Sequence, residues 1–110
     1  MLKYVDLRET RDEGGSRQTG ASLHDDGTIV VEGRDLGPAV EAFFGPGMTE
    51  YEWALSISPP GVEVLKMALA CDDNVLTALR DQFSGDAAAK LQSFLDDNAV
   101  PYEFWSRAGE

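Results

Sequence analysis

The apolar period of the chain changes at Pro59-Pro60, and that switch constrains its fold more than any other feature. Before it, apolar residues alternate with polar ones, as in strands with one buried face; after it they recur every three or four positions, as in helices. Leu2 to about Arg11 reads as a strand with Val5 and Leu7 on one face and Tyr4, Asp6 and Arg8 on the other. Asp12-Glu13-Gly14-Gly15-Ser16 is a turn, and about Arg17 to His24 returns as a second strand with Ala21 and Leu23 inward. Asp25-Asp26-Gly27 has the composition of a type I turn closed by a glycine bulge, leading to a third strand over Thr28 to Glu32. Gly37-Pro38 opens a short helix carrying Val40, Phe43 and Phe44, which Gly45-Pro46-Gly47 ends. The clearest strand follows, with Tyr51, Trp53, Leu55 and Ile57 inward and Glu50, Glu52, Ala54, Ser56 and Ser58 outward.

From Gly61 three helices are expected, lined by Val62, Leu65 and Leu69, by Val75, Leu76, Leu79 and Phe83, and by Leu91, Phe94 and Leu95. Asp72 or Asp73 would cap the second, Ser84 or Asp86 would cap the third, and Asn98 would end it in the left-handed conformation. Val100-Pro101 begins a last extended segment in which Tyr102 and Phe104 share a face and Glu103 and Trp105 take the other. The expected fold is α+β: an antiparallel four-stranded meander with helices packed on one face and a C-terminal edge strand. No composition break divides residues 1–110, so a single domain is expected. Glu50-Tyr51-Glu52-Trp53 and Tyr102-Glu103-Phe104-Trp105 repeat an aromatic and acidic alternation, which would suit two neighbouring strands.

Charge narrows the function classes. Twenty acids against nine Lys and Arg leave −11, and residues 21–60 alone carry seven acids against Arg34, a local −6. Such a surface disfavours nucleic acid, which demands clustered cations. No segment has the apolar length of a signal peptide or membrane span, and Cys71 is alone, so a cytoplasmic protein without disulfides or membrane contact is expected. His24 is the sole histidine, which removes multi-histidine metal sites, and no Gly-x-Ser-x-Gly elbow is present. Asp25-Asp26, Asp72-Asp73 and Asp96-Asp97 fall at turns and helix ends, where aspartate bonds local backbone, and no cofactor is expected.

Gly33-Arg34-Asp35-Leu36-Gly37-Pro38, Gly45-Pro46-Gly47 with Glu50-Tyr51-Glu52-Trp53, and Val100-Pro101-Tyr102-Glu103-Phe104-Trp105 together resemble a group of small acidic bacterial proteins of unassigned role. In size, charge and layout the chain is also similar, as a class, to toxin-immunity proteins and barstar-like inhibitors. The leading expectation is a non-enzymatic interaction protein that binds a basic partner such as a toxin. Its candidate acidic surface is Asp25, Asp26, Glu32, Asp35, Glu50 and Glu52, and Trp105 is the candidate aromatic anchor. A second reading is a small ligand-binding domain or enzyme with a pocket between the sheet and the Phe43-Phe44 helix, where Glu50, Glu52 or His24 would titrate. A third is a homodimer joined through an edge strand.

Overall fold

A computed structural model describes residues 3–109. Five strands, β1 (Tyr4–Asp12), β2 (Gly15–Leu23), β3 (Ile29–Leu36), β4 (Glu50–Ile57) and β5 (Glu103–Gly109), form one antiparallel sheet in the order β1-β2-β3-β4-β5. The C-terminal segment thus continues the meander beside β4 as a fifth strand. Leu2, where the sequence starts the first strand, lies outside the described residues.

The β1–β2 hairpin turns on two residues, with Asp12 opposite Gly15 and the Asp12 carboxylate accepting from the Gly14 amide at 2.8 Å. Its tip is pressed against the end of β3. A Cβ at Gly15 would fall 1.7 Å from the Leu36 carbonyl oxygen, and Gly15 has φ 123°, so only glycine fits there. At the other end of β2, Gly27 takes the left-handed conformation and the Asp26 carboxylate accepts from the Thr28 amide at 2.9 Å.

Helix α1 (Pro38–Phe44) starts on proline and buries Val40. Helices α2 (Pro59–Leu69), α3 (Val75–Phe83) and α4 (Leu91–Asp97) all lie between β4 and β5 in sequence, with a 3-10 turn over Gly85–Lys90. The third expected helix is therefore split. Leu65, Leu69, Leu79, Leu91 and Leu95 bury against Val5, Leu7, Ala21, Ile29, Val31, Leu55 and Ile57 of the sheet, making one core on one side. None of the helices among the described residues is long and apolar enough to cross a membrane.

Three local expectations are corrected. Asn74, not Asp72 or Asp73, is the N-terminal boundary of α3, and it makes no side-chain cap. Asn98 stays near the helical region and its amide donates to the Phe94 carbonyl at 2.8 Å, while Ala99 takes φ 56°. The third correction concerns β1. Asp6 faces Gly20 but Arg8 faces Thr19, so a bulge inserts Leu7 and shifts the phase of the strand by one. Val5 and Arg8 consequently share the helix-side face, whereas strict alternation sets Arg8 beside Tyr4 and Asp6.

Candidate functional site

Because every helix packs on one side, the opposite face of the sheet is left without a covering layer. Its composition follows from the register. One cross-strand row reads Tyr4, Ser22, Val30, Ser56, Glu103, and the next reads Asp6, Gly20, Glu32, Ala54, Trp105. The third reads Glu9, Gln18, Arg34, Glu52, Arg107. Small residues on β2 and β4 lower the floor, while Tyr4 on β1 and Trp105 on β5 rise at the two edges. The result is a trough of about 440 Å³ between two aromatic walls, each side chain 53% exposed.

Tyr4 leans inward across β2. A Cβ at Gly20 would lie 2.1 Å from its hydroxyl oxygen, so glycine makes room for the ring, and that hydroxyl donates to Asp6 Oδ1 at 2.9 Å. Partial burial, then the hydrogen bond to the Asp6 carboxylate, pushes the Tyr4 phenol above its ordinary pKa, which keeps it a donor. Glu32 stands exposed at the centre of the floor.

Ion pairing differs along the trough. At one end Arg34 reaches Glu50 at 2.7 Å and Glu52 at 3.7 Å, and Arg107 reaches Glu52 at 3.4 Å. The hydrogen bond between the two carboxyl groups, with Arg34 beside them, holds Glu50 below the ordinary glutamate range. The same Glu50 contact pushes Glu52 up. Two acids and two bases close on themselves here, which leaves Glu9 as the one acid of this row without an ion-pair partner among the described residues. Away from that end, Glu32 on the floor and Asp6 and Glu103 on the two flanking strands have no ion-pair partner among the described residues.

Of the residues singled out in the sequence, Glu32, Glu50, Glu52 and Trp105 share this face. Asp25 and Asp26 lie at the β2–β3 turn, where Lys3 pairs with Asp25 at 3.1 Å, and the backbone hydrogen bond from Thr28 lowers the Asp26 pKa. Asp35 lies on the helix-side face. The sequence reading did not select Tyr4, Asp6 or Glu103 as site residues. Its signal for them was alternation that placed all three outward, but only the register shows that they flank Glu32 and Trp105.

The cleft between the sheet and α1 does exist, but it is lined by Arg8, Arg17 and Asp35 rather than by Glu50, Glu52 or His24. Cys71 is half-buried, and burial, reinforced by Asp72, pushes its thiol up and away from reactive thiolate. No known protein family, curated protein or solved structure matches the chain.

Proposed function

We propose that the protein is a non-enzymatic docking domain that seats a basic protein segment in the trough of its helix-free sheet face. The observation that carries this reading is the juxtaposition of three acids without an ion-pair partner among the described residues, Asp6, Glu32 and Glu103, with the exposed rings of Tyr4 and Trp105. A lysine or arginine laid on that floor meets a carboxylate beneath it and an aromatic face beside it, each cation–π contact contributing about 0.5–2 kcal/mol. Five strands at roughly 4.8 Å spacing set the walls about 19 Å apart, and Tyr4 leans in from one of them. A helix about 10–12 Å across fits that width, so a basic helix is the occupant favoured. Charge would steer the encounter and the aromatics would slow dissociation, the division of labour expected of an inhibitor or antitoxin covering a basic enzyme.

The test uses a synthetic Lys/Arg-rich helical peptide titrated into the isotope-labelled protein and followed by amide chemical shifts. Shifts should concentrate on Gly20, Glu32, Ala54 and Trp105. Glu32→Lys and Trp105→Ala should each weaken binding about tenfold, and added salt should weaken it further. Shifts that instead follow the aspartate pairs at residues 72–73 and 96–97, or an affinity indifferent to both substitutions, would sink the proposal.

A further inference from the structure

On the helix-side face α1 packs beside β3 and β4. Between them lies a cleft of about 660 Å³, within the range of small-molecule sites. The bulge in β1 supplies its chemistry. By shifting the phase at Leu7 it turns Arg8 onto this face, where Arg17 joins it from β2 and Asp35 stands opposite Arg17 on β3.

Arg8 is short of an acceptor. Its side chain is only 17% exposed, and its Nε is the one buried side-chain nitrogen or oxygen among the described residues without a hydrogen-bond partner. The nearest carboxylate, Asp86, is fully exposed and sits 4.0 Å from Nη2, beyond hydrogen-bond distance. Arg8 lines the cleft, so an incoming acceptor meets a guanidinium that no carboxylate among the described residues holds at hydrogen-bond distance. Arg17 adds a second cation at the rim. Burial pushes the Asp35 carboxyl upward against the pull of both arginines. Across from these groups Phe44 stacks on Tyr51 with ring centroids 5.0 Å apart, and Phe43 stands beside it, 82% exposed.

Two cations, one acid and an aromatic wall define a ligand by its parts. We infer that this cleft binds a small aromatic carboxylate bearing a second polar donor. Its carboxylate meets Arg8 and Arg17, its donor meets Asp35, and its ring lies against Phe44 and Tyr51. The site is on the opposite side of the sheet from the docking trough and does not depend on it.

The probe is 4-hydroxyphenylacetate, titrated into the full isotope-labelled chain. Saturable shifts at Arg8, Arg17, Asp35 and Tyr51 are expected, with 4-methylphenol, acetate and inorganic phosphate each binding about tenfold or more weakly. Arg8→Met should weaken the acid at least about tenfold. Since that change also alters a largely buried position, Arg17→Gln at the rim is the second variant, expected to weaken binding about threefold with the rest of the spectrum unchanged. Absence of saturable shifts, equal binding of 4-methylphenol or phosphate, or wild-type affinity in Arg17→Gln overturns the inference.

Discussion

Replacing Gly33 with alanine tests whether the β3–β4 pairing is built around the Trp53 indole. Gly33 faces Trp53 across the sheet, and a Cβ there would fall 2.1, 2.2 and 2.3 Å from Cε2, Nε1 and Cζ2 of the ring. Carbon atoms in contact prefer about 3.5–4.0 Å, so the indole must retreat by roughly 1.5 Å. Trp53 packs partly buried against the core, so the displacement costs about 1–3 kcal/mol as overpacking. Alanine restricts the unfolded chain and returns roughly 0.5–1 kcal/mol. The net expectation is a loss of about 1–2 kcal/mol, which for a domain of this size lowers the melting temperature by about 4–8 °C. Urea unfolding followed by far-ultraviolet circular dichroism measures it. The same substitution in a Trp53→Leu background has space for its methyl and should be neutral or slightly stabilising, giving a coupling energy of about 1–2 kcal/mol. An equal loss in both backgrounds would refute the reasoning, because the cost would then lie in the backbone and not in the ring.

Two further expectations rest on single residues. Asp35→Asn should stabilise the protein at neutral pH. Because burial raises the folded-state pKa of Asp35, its contribution is most favourable below the ordinary aspartate value and is lost as pH rises through the raised one. The advantage of the asparagine, read from urea midpoints across an acid series, should therefore vanish at low pH, and a constant advantage would contradict the assignment. Ala70 and Ala99 both hold φ 56°, a conformation that glycine adopts without strain. Ala70→Gly and Ala99→Gly should each stabilise by about 0.5–1 kcal/mol in thermal unfolding, and destabilisation by either would show that the methyl contributes packing.

The strands and helices are largely legible in the sequence because burial imposes their periods directly. Leu55 and Ile57, or Leu65 and Leu69, follow from spacing alone. Arg8 does not, since the phase shift at Leu7 depends on pairing with β2 and leaves no mark in the composition of β1. Ala99 escapes for a related reason: the favoured residue for the left-handed position is Asn98 one place earlier, and the hydrogen bond of Val100 back to Leu95 places the reversal after it. The same limit applies to charge. Glu50 and Glu52 count as free acids in a linear sum, yet Arg34 and Arg107 reach them only through the register of three strands. Trp105 lies at the opposite end of the sequence from Tyr4 and Asp6, and their convergence around Glu32 exists only in the folded sheet.

The strand that carries Trp105 joins the sheet after a detour over residues 58–102, whereas the first three strand pairings close through shorter connections. None of its residues is fully buried, in contrast to the inward positions of the other four. An edge held mainly by backbone bonds to one neighbour opens at lower free energy than the strands beneath the helices. One wall of the trough therefore stands on the least anchored strand of the sheet. A bound partner that grips the indole also clamps the strand, and part of its interaction energy is spent on ordering that edge, which trades affinity for a wall able to adjust to its guest.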